Sequence, residues 1–299
     1  MGRVIDAPTS LARHSHPALA PAGMIFDALD ISVEPSAVVV MASGIRYADP
    51  DGLDDFGGLD AAFDLFEAAG FNCEQFRSVD AGPFLDAARR EQALAERRWR
   101  ATPFYSLHPE CDPVSGATTV RPVALSEFGD TTVRITSTFA DRTASYEDLL
   151  RGESSLWGYA APVPSLRAIL APARYDLAAR ARRSLRLLFL RMATARDGLS
   201  RLESFVSSRP LREKTQAYRR GMAAMGAGDD SFHRSVLVAA IESYGTATVP
   251  DETHAGFARS AALHLEFLDD ADAALAEIAR VERAALDAHA RGVAGRICS

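Results

Sequence analysis

The sequence predicts a helix-rich molecule in two parts. A small α/β domain, with a mostly parallel sheet and flanking helices, is expected over residues 25–143, and an all-helical bundle domain over residues 164–299. Three observations carry that expectation. Short apolar runs rich in β-branched residues, of strand length, fall in the first half of the chain. After residue 164 the apolar positions recur every three or four residues, the period of an amphipathic helix. The charge also changes along the chain: residues 1–162 carry 13 Lys+Arg against 24 Asp+Glu, residues 167–220 carry 14 against 4, and residues 221–299 carry 6 against 12.

Taken in order, residues 1–24 mix Pro, Ala, Ser and His without a sustained period, which predicts a loosely ordered arm. Ala37 to Ala42 reads Ala-Val-Val-Val-Met-Ala, a continuous apolar run that predicts a strand buried on both faces. An acidic loop from Ser43 to Gly58 follows. Leu59, Ala62, Phe63, Phe66 and Ala69 share one side of a helix that Gly70 closes. Phe71 to Arg77 reads as a second strand, Phe84 to Arg98 as a helix and Thr102 to Leu107 as a third strand, a β-α-β-α-β order suited to parallel pairing. Thr118 to Leu125 and Thr131 to Phe139 alternate instead, and predict a hairpin at a sheet edge. Residues 144–163 carry Trp157, Tyr159 and Pro162 and read as a packed crossover linker.

In the second half, Leu177, Ala181, Leu185, Leu188, Met192, Ala195, Leu199, Leu202 and Val206 form one stripe about 100° wide and predict a single long helix. Its other face is arginine. Ser208 and Pro210 start the next helix, which runs to about Met225. Asp229 or Asp230 is expected to cap Phe232 to Tyr244. Pro250 opens a helix through Leu268, and Asp270 opens the last, which Gly292 is expected to end.

Three cysteines, Cys73, Cys111 and Cys298, are too few and too widely spaced for a disulfide framework and point to a reducing compartment. No apolar run of about 18 residues exists, so no membrane segment is expected. The expectation is a soluble cytoplasmic protein. Lys214 is the single lysine among 33 basic residues, which reads as a GC-rich bacterial genome.

In an open parallel sheet, ligands bind beyond the carboxyl ends of strands, which directs attention to Ser43, Asp49, Asp51, Asp80 and His108. Ser43, His108 and Asp80 are the catalytic candidates of an enzyme acting on a small or phosphate-bearing substrate. Asp49, Asp51 and Asp54 are the metal candidates, because oxygen ligands at alternate positions suit Mg²⁺ or Ca²⁺. The loop from Asp49 to Asp60 departs from an EF-hand at Leu53, Asp54 and Asp60, and neither G-x-G-x-x-G nor a P-loop occurs. An outline likeness to the tRNA-dependent cyclodipeptide synthases, a serine after an early strand and an arginine-rich helix, stops at Ala262. There the Tyr-x-x-x-Glu motif, ending at Glu266, would need its tyrosine.

The leading expectation is a binding or regulatory protein. Arg180, Arg182, Arg183, Arg186 and Arg191 crowd one helix with few acidic neighbours at i,i+4. Such a band calls for an acidic partner: the chain's own N-terminal domain, another protein or a polyanion.

Overall fold

The computed structural model describes residues 26, 31–42, 45, 47, 65–76, 86, 104–111, 118–127, 129–136, 141–148, 166–170, 176–195, 198–225 and 231–297. The chain divides into two compact units. One comprises residues 1–13, 17–33 and 58–175, and the other residues 14–16, 34–57 and 176–299. None of the described helices is long and apolar enough to cross a membrane.

The first unit contains a six-stranded sheet: β1 (Asn72–Phe76), β2 (Phe104–Cys111), β3 (Thr118–Ser126), β4 (Thr132–Thr136), β5 (Asp141–Ser145) and β6 (Leu166–Leu170). Their spatial order is β1-β6-β2-β3-β4-β5. Every pairing among the described residues is antiparallel, which corrects the expected mostly parallel sheet. The reason is connection length. Only residues 112–117, 127–131 and 137–140 separate the consecutive strands from β2 to β5, whereas a parallel crossover takes a dozen residues or more. The alternating stretches do pair as a hairpin, Ala124 opposite Thr136 and Ser126 opposite Arg134.

The strand β6 falls inside the stretch expected to be helical. It is five residues long, too short for its period to separate strand from helix, and it pairs with β1 from Asn72 opposite Leu170 to Phe76 opposite Leu166. Residues 65–69 are helical and close where expected. Gly70 turns left-handed with φ 88°, while the amides of Gly70 and Phe71 donate to Glu67 and Phe66 carbonyls. Phe26, Phe66 and Phe71 form an aromatic cluster with ring centres 5.3–5.9 Å apart.

The second unit is helical: α1 (Pro35–Met41), α2 (Leu177–Thr194), α3 (Leu199–Ser207), α4 (Arg212–Met225), α5 (Arg234–Ala240), a π-helical turn at Ile241–Gly245, α6 (Asp251–Leu268) and α7 (Ala273–Ile297). The run Ala37 to Ala42, expected as the first strand of the sheet, is instead helix α1, and it belongs to this unit. Ser36 to Met41 are all buried, so no polar face marks the helical period. A continuous apolar run reads the same whether it is a buried strand or a buried helix. Pro35 at the start of the helix fits the helical choice, since its fixed φ suits the first turn.

The single long helix expected from Leu177 to Val206 is two. A side chain at Gly198 would put a Cβ 2.6 Å from the Met192 carbonyl and 2.8 Å from that of Ala195, so the sharp turn between α2 and α3 requires glycine. The stripe itself is buried at Ala181, Leu185, Leu188, Met192, Leu199 and Leu202. The last helix also differs from expectation, running past Gly292 to Ile297. Gly292 is a contact point: a Cβ there would lie 2.5 Å from Pro250 Cγ.

Candidate functional site

The buried face of α2 sets where its charge points. Ala181, Ser184, Leu185, Leu188, Phe189 and Met192 turn inward, and Phe189 stacks on Phe257 of α6 at 5.7 Å and lies 4.5 Å from the His289 ring of α7. Asp176 caps the helix by accepting from the Ala179 amide at 2.8 Å. With that face fixed, helical geometry sends Arg182, Arg183 and Arg186 outward, and all three are exposed. Among the described residues none of them forms an ion pair. Arg180 and Arg191, on the flanks of the same helix, are half-buried and engage other groups.

Elsewhere in this unit several arginines have carboxylates, although Arg209 and Arg220 are also exposed without one among the described residues. Arg219 bridges Asp270 at 2.8 Å and Asp272 at 2.6 Å, with its guanidinium 4.5 Å over the Phe267 ring. Arg212 also reaches Asp270, at 2.9 Å. Arg283 meets Glu203 through two nitrogens, and Arg259, Arg280 and Arg291 meet Glu266, Glu277 and Glu252. The acidic group from Asp269 to Asp272 is therefore largely an arginine partner. The Glu242 carboxylate of the π-helical turn lies 3.2 Å from His254.

A second charged group, which sequence reasoning missed, sits inside this unit. Arg234 and Glu282 are completely buried and joined by two hydrogen bonds, Nε to Oε1 at 2.8 Å and Nη2 to Oε2 at 3.2 Å. Tyr47 Oη and Ser260 Oγ also donate to the Glu282 carboxylate. The Arg234 guanidinium lies 5.0 Å over the Tyr47 ring. Burial alone would push the Glu282 carboxyl up, but the charge and hydrogen bonds of Arg234 outweigh it and hold the group at about 2. Burial, then the neighbouring Glu282, pushes the Tyr47 phenol well above its ordinary value. Tyr218, buried and stacked on Phe205 at 4.9 Å, is raised chiefly by burial.

This centre holds a strained turn in place. Phe232 and His233 adopt φ of 51° and 64°, the left-handed region that costs a bulky residue about 1–3 kcal/mol. Arg234 Nη1 donates back to the Phe232 carbonyl at 2.9 Å, and the Phe232 ring meets His264 edge-on at 5.1 Å. The expected capping by Asp229 or Asp230 does not describe this helix start, because His233 occupies the N-cap of α5. Within the centre the Ser260 hydroxyl donates to Glu282, and His264 Nδ1, 3.3 Å from that hydroxyl, donates to the Ser260 carbonyl at 2.8 Å.

Of the sequence candidates, Ser43, Asp49, Asp51, Asp54 and Asp80 lie outside the described residues. His108 is in the middle of β2, paired with Arg121 of β3, and not at a strand end. The expected site at the carboxyl ends of parallel strands loses its geometric basis in an antiparallel sheet. Among the described residues no three His, Cys, Asp or Glu side chains group to hold a metal ion. No protein-family model matches this chain, and neither does any curated protein.

Proposed function

We propose that this chain is a binding protein whose helix α2 presents Arg182, Arg183 and Arg186 to an acidic partner. One observation carries the reading: these three guanidiniums cluster on one helix face, exposed and with no carboxylate among the described residues, while Arg212, Arg219, Arg259, Arg280, Arg283 and Arg291 are paired. Like charges at i,i+3 and i,i+4 repel by a few tenths of a kcal/mol per pair. Arg182 with Arg186, and Arg183 with Arg186, are two such pairs. A partner's carboxylates or phosphates relieve that repulsion and accept the forked, two-bond geometry that guanidinium offers.

Reversing the three charges tests the reading. The full chain should be retained on a heparin column and elute as salt rises, because contacts between exposed charges are screened by salt. The variant carrying Arg182→Glu, Arg183→Glu and Arg186→Glu should pass through unretained with its melting temperature little changed. Equal retention of the two proteins would remove the proposal.

A further inference from the structure

The arginine face also carries two leucines, and they narrow the class of partner. We infer that this face docks one acidic amphipathic helix of a partner protein, an inference that rests on the proposed function and names its occupant. Leu187 is 54% exposed and Leu190 is 60% exposed, although leucine is among the residues most often buried. At about 100° per residue the order around the exposed surface of α2 is Arg182, Arg186, Leu190, Arg183, Leu187, within a sector about 140° wide.

That order has two consequences. Arg182, Arg186 and Leu190 form one i,i+4 row, and Arg183 with Leu187 forms the next. The groove between two such rows is what a ridge of a second helix fills when helices cross at about −50°. Filling it takes apolar side chains against the two leucines and carboxylates against the three arginines, which together describe an amphipathic helix with acidic flanks.

Leucine and arginine are interleaved around the surface, and this counts against a lipid bilayer. Helices that lie in a membrane interface separate a wide apolar face from the charged one. Here neither leucine can enter the acyl region without carrying an arginine with it. A nucleic acid is disfavoured by the formal net charge of −7 and by the leucines, which phosphates leave uncovered. From Arg182 to Leu190 the face is about 12 Å long, so the complex should belong to the small, transient class.

The experiment uses the full chain and four probes. One is a synthetic helical peptide with leucines on one face and flanking glutamates. The second has the same composition shuffled so that no face remains. The others are heparin and phosphatidylcholine–phosphatidylserine vesicles. The wild-type chain should bind the patterned peptide roughly tenfold more tightly than the shuffled one, a difference of about 1.4 kcal/mol. Changing Leu187→Ser and Leu190→Ser should equalise the two peptides while heparin retention stays. Reversing the three arginines should abolish binding to all four probes, and circular dichroism will show that both variants remain folded. Equal affinity for the two peptides in the wild-type chain, a preference that survives the leucine changes, or tighter binding to heparin or vesicles than to the patterned peptide would each overturn the inference. Those results leave the arginine reading intact, whereas an arginine-reversed variant that binds every probe as the wild type does removes both.

Discussion

The helical unit places arginine in two opposite settings. On α2, Arg182, Arg183 and Arg186 stand in solvent without a carboxylate among the described residues, whereas Arg234 lies fully buried with both oxygens of Glu282 bonded to it. Water solvates an exposed guanidinium, so leaving it unpaired is cheap and its charge remains available to a partner. A buried one has no such alternative and must be paired by its own chain. The contrast teaches that the charge with structural weight and the charge with functional potential are different arginines, and burial tells them apart.

The largest effect should come from breaking the buried pair. Arg234→Met leaves Glu282 charged, enclosed and without its cation, and also releases the Phe232 carbonyl from the strained turn. The expected loss is about 3–5 kcal/mol in urea unfolding. Glu282→Leu alone should cost a similar amount, while Arg234→Met combined with Glu282→Leu should recover most of it, since an apolar pair of fair volume strands no charge. A loss under about 1 kcal/mol for Arg234→Met would mean that the pair does not hold this core.

Next in size is the apolar side of α2. Leu188 is fully buried, and Leu188→Ala should cost about 2–5 kcal/mol through lost burial and the cavity left behind. A melt unaffected by that change would show that α2 is not anchored by its inner face, and the outward direction of its arginines would lose its basis.

The buried centre also predicts a pH dependence at both ends of the scale. Glu282 is held at about 2 in the folded chain against an ordinary 4.5. Its contribution is therefore complete above about 4.5 and lost as pH falls from there towards 2. Tyr47 is displaced upward from 10.0, so its contribution is complete below about 10 and lost as pH rises beyond that. Tyr47→Phe should weaken the alkaline loss and leave the acid limb in place. An alkaline limb identical in Tyr47→Phe and wild type would assign that loss to another group.

How much of this was legible in the sequence follows from what each residue signals locally. The α2 stripe and its arginine face were legible, because a surface helix alternates buried and wet positions at its own period. The hairpin of β3 and β4 was legible for the same reason at period two. Helix α1 was not, since Val38, Val39 and Val40 are all buried and a helix buried all round has no period to read. The antiparallel sheet could have been inferred from the short connections after β2, which outweigh a β-α-β spacing argument. Of the buried pair, one half left a trace. Glu282 falls on the same side of α7 as Ile278, Ala285 and His289, at helical spacing among buried residues, and a carboxylate in a core stripe asks for a cation. Its partner lies 48 positions away, which no local pattern can supply. Ser43, Asp49, Asp51, Asp54 and Asp80 fall outside the described residues, and His108 lies within a strand and not at its end.

The smallest expected change in stability belongs to the charge reversal on α2, and that smallness gives the comparison its sharpest form. Arg182→Glu, Arg183→Glu and Arg186→Glu alter six formal units of charge, yet each side chain stands in water, where single surface changes stay within about 0.5 kcal/mol. The starting arrangement is already self-repelling, so replacing three neighbouring cations by three neighbouring anions exchanges one repulsion for another of similar size. The unfolding midpoint should therefore hold nearly constant while retention on heparin disappears. The same substitution made once at the buried position, Arg234→Glu, should do the reverse. It places two carboxylates together in the core and should unfold the helical unit. If the α2 reversal instead lowers stability as far as Leu188→Ala does, those arginines are serving the fold, and the separation of structural from available charge fails for this protein.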